Sequence, residues 1–386
     1  MPHRFARSRS TWLAYCVLAF YSYFLNALGP VTPFLRAELH LSYTTAGWHF
    51  TAFAIGILLA GLLGARLVAR VGRWQARWIG VGGITAGCLL LVTGRHPLIT
   101  VGGTLLMGAV GSFILAIVVS SLSDEHGPLL AIALTEANLL ASAVSALAGV
   151  AVGLAARSPL GWRGGLVVPL LAAPLLYLAN RDVAIPAPRT PSAADRGDSL
   201  PPAFWVLWCA LVAVVSVEFC LIFWAAAFLS DGLGVPRERA ALSVSVFLAA
   251  MLAGRLAGSR LVRRIPAMRL LPRALLLAAA GFLAYWRAPD PAIAFLGLFT
   301  CGLGVANLYP FILSLALATT TASDAAAARA TLASGVAISS LPLLLAQLAD
   351  AFGIRPAHAL VVVLLAVAWG LVRVAARGPR ARDGAA

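Results

Sequence analysis

Long apolar stretches separated by short polar turns run along the chain from Trp12 to Val374. Each stretch is about 20 residues long, the length that a helix needs to cross a hydrocarbon core of ~30 Å. In lipid, only helices and closed barrels satisfy their backbone hydrogen bonds, and these stretches are too long and too continuously apolar for barrel strands. The pattern therefore predicts an all-α integral membrane protein.

The apolar stretches fall into two sets of six predicted spans. The first set lies at 12–33, 43–65, 78–93, 98–121, 128–155 and 162–180, and the second at 203–229, 240–262, 270–286, 292–318, 328–352 and 357–376. Residues 181–202 are rich in Pro, Ala and charge and lack apolar periodicity, which is typical of a flexible linker. We expect one six-helix bundle over 1–180, a cytoplasmic linker over 181–202 and a second six-helix bundle over 203–386.

Charge sets the orientation of these spans. The chain has 29 Arg, no Lys and a net charge of +15. With the N-terminus inside, 20 Arg fall in inner segments, 8 in outer turns and one, Arg255, within a span. This bias follows the positive-inside rule and predicts a multi-pass protein of the cytoplasmic membrane with both termini cytoplasmic. The basic turns are too short to follow a phosphate backbone, so no nucleic-acid partner is expected.

The two halves of the chain resemble each other. LLGARLVAR at 62–70 aligns with LAGSRLVRR at 256–264, an offset of 194 residues, and Gly108 meets Gly302 at the same offset. Each nine-residue segment ends the second span of its half. Two halves that both start inside are parallel repeats, and transporters of this kind hold their substrate between the halves near the midplane.

Three motifs resemble the major facilitator superfamily, and together with the span pattern they extend the resemblance over essentially the whole chain. The turn ARLVARVGRW at 65–74 is similar to that family's signature between the second and third spans. GWR at 161–163 resembles the common entry to the sixth span. GLGVANLYPF at 302–311 is similar to the tenth span of fucose-permease-like members. The resemblance implies two pseudo-symmetric six-helix bundles and solute transport by alternating access.

The signature turn carries the gating residues that the resemblance implies. Arg70, Gly72 and Arg73 match the family pattern, whereas Ala69 stands where the family has an acid. The predicted gating set adds the other arginines near this turn and its repeat: Arg66, Arg255, Arg260 and Arg264. Arg255 is interpreted either as such a structural or gating residue, or as a partner for an anionic substrate or a Glu.

Signatures of the drug/proton antiporter branch are incomplete. The Arg of its fourth span would fall near Thr104, and the Pro of its Gly-Pro pair in the fifth span would fall at Val150, after Gly149. Efflux of a drug or metabolite in exchange for protons therefore stays an alternative to symport.

Two acids lie well inside the predicted spans. At 1.5 Å per residue, Glu136 is roughly 12 Å and Glu218 roughly 22 Å from the inner edge. A carboxylate at such depth is costly unless it is paired, hydrated or protonated, so both are candidates for proton coupling. The alternative is a structural hydrogen bond between helices.

Polar and aromatic residues recur in the spans that line the cavity of this family. The predicted substrate-binding residues are Tyr23, Asn26, Asn138, Trp224, Asn307 and Tyr309. Such groups bind polar solutes, and aromatic rings stack on sugars and other flat ligands. Asn and similar residues also join helices in membranes, which is the alternative reading of each position.

The function predicted from these observations is a monomeric, proton-coupled transporter of a small organic solute, with no cofactor and no metal site. An enzyme is not expected, because no reactive constellation is visible, and the cluster of Asp124, Glu125 and His126 is interpreted as a solvated loop. No Walker A motif is present, so ATP-driven transport is not indicated. A solute sensor built on a transporter scaffold, which binds without transporting, is the alternative of another class.

Overall fold

The described residues of the protein, in a computed structural model, are 5–183, 200–320 and 323–376. Helices account for most of these residues, and no strand occurs among them. The first seven helices are α1 Arg9–Leu39, α2 Tyr43–Thr93, α3 Pro97–Gly111, α4 Phe113–His126, α5 Leu130–Ala155, α6 Gly164–Leu170 and α7 Ala172–Asn180. The remaining helices are α8 Pro202–Ala227, α9 Arg237–Ala240, α10 Leu242–Leu261, α11 Ala267–Arg287, α12 Pro291–Val305, α13 Leu308–Leu317, α14 Ser323–Phe352, α15 Ile354–Ala357 and α16 Ala359–Ala376.

Ten helical segments in the described part of the chain are long and apolar enough to cross a membrane. One of them, Pro97–Ala155, is 59 residues long and contains the predicted fourth and fifth spans in succession. The predicted sixth span corresponds to a shorter apolar stretch, Gly164–Asn180. The prediction of an all-α protein with many membrane helices is confirmed, while the count of twelve and the two six-helix bundles stay predictions.

A kink replaces the loop expected between the second and third spans. Helix α2 runs on across this boundary, and its regular backbone geometry is interrupted at Gly72, where φ is 79° and ψ is 161°. L-residues with a side chain rarely adopt a φ in this range, so the conformation favours glycine. Position 72 therefore requires glycine because of its backbone conformation. A lack of space is not the reason, because a Cβ added there would have no atom within 4 Å.

The chain divides into two compact units. The first unit comprises Met1–Thr190 and Pro236–Ser245, and the second comprises Pro191–Val235 and Val246–Ala386. Most of the predicted linker at 181–202 lies outside the described residues, so the domain boundaries stay a prediction. Within the first unit, α1 packs on α5 and α2 packs on α3. Within the second unit, α8 packs on α14 and α16, and α11 packs on α12.

The 194-residue repeat is visible in the helix packing of each unit. In the first unit, a Cβ added to Gly108 would overlap the backbone of Phe53, and in the second a Cβ on Gly302 would overlap that of Phe247. The two contacted residues, Phe53 and Phe247, are also 194 residues apart. Two further pairs of close contacts repeat in this way: Gly87 with Met107 and Gly281 with Cys301, and Gly103 with Leu91 and Gly297 with Tyr285. Small residues let membrane helices approach closely, so these glycines fix equivalent packing in both units.

Candidate functional site

A charge pair lies within the membrane-spanning part of the second unit. Glu218 on α8 faces Arg255 on α10, and their closest charged atoms, Oε1 and Nη2, are 3.9 Å apart. The Glu218 side chain is 18% exposed and that of Arg255 is 45% exposed. The separation exceeds hydrogen-bonding distance, so the contact between them is Coulombic. The sequence left open whether Arg255 has a structural or gating role or is the partner of an anionic substrate or a Glu. The structure places it beside a Glu.

The helix that carries Glu218 is anchored next to this pair. Trp224, predicted to bind substrate, is fully buried, and its indole N–H donates a hydrogen bond of 2.9 Å to the carbonyl of Pro342 in α14. The neighbouring rings of Phe219 and Phe223 pack at 5.3 Å between centroids. The hydrogen bond from Trp224 joins α8 to α14, so Trp224 fixes the helix on which Glu218 sits.

The second predicted carboxylate, Glu136 on α5 of the first unit, is fully compensated. The guanidinium of Arg7 donates two hydrogen bonds to its carboxylate, of 2.7 Å from Nε and 2.6 Å from Nη2. The hydroxyl of Tyr15 donates a third of 3.2 Å. These hydrogen bonds and the negative charge of Glu136 raise the pKa of Arg7 above its ordinary value. The arrangement stabilises the ionised form of Glu136.

The signature turn makes an ion pair that the sequence did not indicate. Arg73 donates to the carboxylate of Asp124 on α4, and both side chains are largely buried, at 8% and 13% exposure. One turn further along α2, buried Arg77 donates to the hydroxyl of Ser121 at 3.1 Å. The acid missing at Ala69 thus has a counterpart in Asp124, although on a different helix. Across the described ranges no ion pair is found for the other predicted gating arginines of the two turns, Arg66, Arg70, Arg260 and Arg264, which are exposed.

Asp124, Glu125 and His126 form the last turn of α4 and not a loop, and all three contact other helices of the first unit, although Glu125 is exposed. Besides the bond of Asp124 to Arg73, the hydroxyl of Thr11 donates to the Glu125 carboxylate at 2.9 Å and lies 2.9 Å from Nε2 of His126. The sequence interpretation failed because the partners lie far away along the chain: Arg73 is 51 positions from Asp124, and Thr11 is more than 100 positions from Glu125 and His126. The packing of α2 and α1 against α4 brings them together.

The predicted substrate-binding residues of the first unit differ in the hydrogen bonds that they already make to the protein. Tyr23 donates to the carbonyl of Gly165 at 2.5 Å, and Asn26 donates to Ser22 O at 2.8 Å and to Ser145 Oγ at 3.2 Å. Both side chains are buried. Asn138 is exposed on α5 and donates to the backbone of Leu134 one turn earlier, at 2.8 Å.

Two predicted residues of the second unit lie at the break between α12 and α13. Asn307 donates to the carbonyl of Gly254 on α10 at 2.7 Å, and its side chain occupies the space that a Cβ on Gly258 would need. Tyr309 is half-buried. Asn307 therefore contacts α10 directly, and Tyr309 lies two residues further along α13.

Two curated proteins are similar in sequence to this chain. The transporter YycB of Bacillus subtilis (strain 168) is 28% identical over 170 residues, which is 42% of this chain. The chain spans only 41% of that relative's length in the match. An MFS-type transporter of Yersinia pestis is 24% identical over 331 residues, covering 76% of this chain and 78% of that protein. Both relatives are described as uncharacterised transporters.

Solved structures share the fold at low sequence identity. A bacterial homologue of the human lysosomal transporter Spinster, inward-facing and occupied, has a TM-score of 0.76 at 17% identity and covers 97% of this chain and 98% of its own. The D-xylose-proton symporter has a TM-score of 0.71 at 16% identity, covering 94% and 97%. The fucose:proton symporter of E. coli has a TM-score of 0.59 at 15% identity, covering 96% and 100%.

The family assignment rests on a match that spans most of the chain. The sequence model of the Major Facilitator Superfamily matches residues 11–339. The proteins of this family and the relatives above are transporters and not enzymes, as the sequence analysis expected. The chain is a multi-pass membrane transporter that belongs to the Major Facilitator Superfamily.

Proposed function

We propose that the chain imports a small organic solute together with protons, by alternating access across the cytoplasmic membrane. In this proposal it works as a monomer with twelve spans and both termini in the cytoplasm. The observation that carries the coupling is the in-span pair of Glu218 and Arg255, whose charged atoms are 3.9 Å apart. Two proteins with this fold are known as the D-xylose-proton and fucose:proton symporters, which supports proton coupling in this proposal.

Glu218 is the better of the two predicted proton carriers. An ionised carboxylate within a membrane is costly, and its cost is lowered either by a nearby cation or by a proton. Arg255 is close enough to stabilise the charge but is not hydrogen-bonded to Glu218. Protonation of Glu218 would therefore remove its Coulombic attraction to Arg255, and deprotonation would restore this attraction. A carrier needs this balance, because it has to gain and lose its proton in every cycle.

Glu136 fits a different role. With two hydrogen bonds from Arg7 and one from Tyr15, its ionised form is held so well that protonation would break three contacts. We assign Glu136 to anchoring the segment that precedes α1, and we assign the conformational control at the same end of the first unit to Arg73 with Asp124. This assignment leaves one of the two predicted carboxylates, Glu218, for coupling.

Two of the six predicted residues, Asn138 and Tyr309, are the better substrate ligands in this proposal. Asn138 is exposed and shares its face of α5 with Thr135 and Ser142, three and four residues away. Tyr309 offers a half-buried phenol. Tyr23, Asn26 and Trp224 already donate to protein acceptors, and Asn307 donates to α10, so in this proposal they support the site. A neutral polar solute such as a sugar suits amide, hydroxyl and phenol groups.

Uptake in proteoliposomes tests this function directly. A thermal-stability panel of sugars, organic acids, amino acids and cationic drugs first identifies a ligand, because a ligand of the folded state raises the unfolding temperature. The radiolabelled ligand should then accumulate when the outside is made acidic, and a protonophore should abolish the accumulation. Accumulation only when the inside is acidic would indicate antiport. Binding without gradient-driven or exchange transport would indicate a sensor.

A further inference from the structure

A groove on the second unit has a volume of about 350 Å³ and lies between α10, α11 and the break between α12 and α13. Its walls are mostly apolar and include Leu261 of α10 and Leu277 of α11, which are 43% and 41% exposed. Two polar side chains also line it, Arg273 and Asn307. We refer to it as the α10–α11 groove. It is thus an apolar surface depression with a cationic and an amide group in its wall.

The internal repeat explains why this groove exists. At the 194-residue offset, Gly258 corresponds to Gly64 and Asn307 corresponds to Phe113. In the first unit, the ring of Phe113 lies 3.4 Å from where a Cβ on Gly64 would be, and it packs in an apolar cluster with Ala60, Ala76 and Ile117. The second unit has the shorter Asn307 in place of this ring, and the corresponding space is open.

A second exchange at the same place adds positive charge. Arg273 stands at the position of Ile79 in the first unit, an exposed apolar residue. Near Arg273, four more exposed arginines lie in or beside the turn between α10 and α11: Arg260 at the end of α10, Arg263 and Arg264 in the turn, and Arg269 at the start of α11. The sequence has no acid between Glu238 and Asp290, and none of these five arginines forms an ion pair with any residue that the structure describes. The charged end of the groove therefore has excess positive charge.

We propose that the α10–α11 groove binds one anionic phospholipid, with an acyl chain along the apolar walls and the phosphate beside Arg273. Apolar walls that open onto the surface of membrane helices favour an acyl chain, and they offer nothing to a free phosphate. Basic pockets between membrane helices bind anionic lipid headgroups, and an arginine near the headgroup region attracts them. The amide of Asn307 lies deeper in the same wall, where it is held by its bond to Gly254.

Lipid titration of the purified full-length protein tests this site. Native mass spectrometry counts the adducts with palmitoyl-oleoyl phosphatidylglycerol and, in parallel, with phosphatidylcholine of the same chains. One phosphatidylglycerol should bind roughly ten-fold more tightly than phosphatidylcholine, from the attraction of the headgroup to a basic pocket. Arg273→Gln should reduce this preference roughly five-fold, the effect of one arginine near the headgroup.

Two sets of variants separate the groove from general charge attraction. Arg263→Gln removes one charge from the same turn but does not line the groove, and it should change the preference by less than about two-fold. Asn307→Phe and Ala257→Leu introduce the residues of the first unit, Phe113 and Leu63, and should remove the tight adduct. Ala257 is exposed, so its variant serves if Asn307→Phe fails to fold in a thermal-unfolding control.

Three outcomes would overturn the proposal. Equal binding of the two lipids would show an apolar groove without charge selection. Equal effects of Arg263→Gln and Arg273→Gln would show diffuse attraction of anionic lipid to the basic turn. A tight adduct that persists in a folded Ala257→Leu protein would place the lipid elsewhere.

Discussion

The first and second units share their helix packing but place their charges differently. The glycine contacts of the first unit recur at an offset of 194 in the second, with Gly108 against Phe53 matched by Gly302 against Phe247. The buried ion pair of the first unit, Arg73 with Asp124, does not recur, since alanines stand at positions 267 and 318. Packing has been kept in both units, while this charge pair has not.

The in-span pair of the second unit likewise has no counterpart in the first unit. Glu218 and Arg255 correspond to Phe24 and Gly61 of the first unit, which carry no charge. A fold that packs equivalently without the pair does not need it for assembly, and an ion pair with a partly exposed partner contributes little to stability. The difference teaches that the in-span charges of the second unit are better explained by the proposed coupling than by helix packing.

The largest effect is expected where the charge lies within a span. Glu218→Gln should reduce accumulation driven by a proton gradient roughly 100-fold, the usual contribution of a positioned proton-transfer group. Glu136→Gln should reduce it by no more than about five-fold, the loss of one partly exposed ion pair. Both are measured as initial and steady-state uptake in proteoliposomes with the outside acidic.

Exchange without a gradient is the control for these two variants. Glu218→Gln should retain counterflow of labelled against unlabelled solute, because a neutral amide mimics the protonated carboxyl. If Glu136→Gln proved to be the variant that lost accumulation while Glu218→Gln kept it, the assignment of the two carboxylates would be reversed. Loss of counterflow in both would indicate damage to the fold or to the substrate site.

The buried ion pair of the first unit should dominate stability. Asp124→Asn removes the charge with which Asp124 pairs the largely buried Arg73 and should lower the free energy of unfolding by about 3 kcal/mol. The matched control is Ala318→Asn, which places the same amide at the repeat position on the second unit, where the side chain is exposed. Thermal unfolding in detergent should show a clear shift for the first variant and almost none for the second. Equal shifts would remove the contrast between the units.

Two kinds of feature could be predicted from the sequence: apolar stretches as long as a membrane span, and segments that repeat along the chain. Apolar stretches of span length gave an all-α membrane protein, and the offset of 194 residues was visible from Gly64 and Gly258 onward. The position of Glu218 within a helix of span length was also readable, because it is a single acid in a long apolar run. These signals are local, so a pattern along one helix is enough to show them.

Pairings between distant helices could not be predicted in the same way. Asp124 looked like a loop residue because its sequence neighbours are polar, yet its partner Arg73 lies 51 positions earlier. Glu136 looked embedded by residue counting, and only the structure brings Arg7 against it from a distance of 129 positions. The 194-residue offset places Asn307 opposite Phe113. That this difference accompanies a groove can be seen only from the helices that surround Asn307 in the structure.

Glycine substitutions test whether the packing of the two units is equivalent. Gly108→Ala and Gly302→Ala each force a methyl group against the backbone of the neighbouring helix, and each should destabilise the protein by about 1–3 kcal/mol. Gly102→Ala, in the same helix as Gly108 but with nothing near its Cβ, should be neutral or slightly stabilising. Thermal unfolding of the three variants measures this. A large effect at Gly108 with none at Gly302 would mean that only the first unit depends on close approach.

The smallest effect is expected at the exposed ion pair of the first unit, Glu38 with Arg163. The two side chains are 39% and 36% exposed, and Arg163 has a second acceptor in the carbonyl of Val92 at 2.7 Å. Glu38→Gln should therefore lower the free energy of unfolding by only about 0.5 kcal/mol. Raising the salt concentration should remove even this difference, since exposed charges are screened. The loss in Asp124→Asn should persist in the same salt series, because burial keeps ions away from Arg73. If both losses faded together, the pair of Arg73 and Asp124 would be as open to solvent as that of Glu38, and burial could not explain why the first unit depends on it.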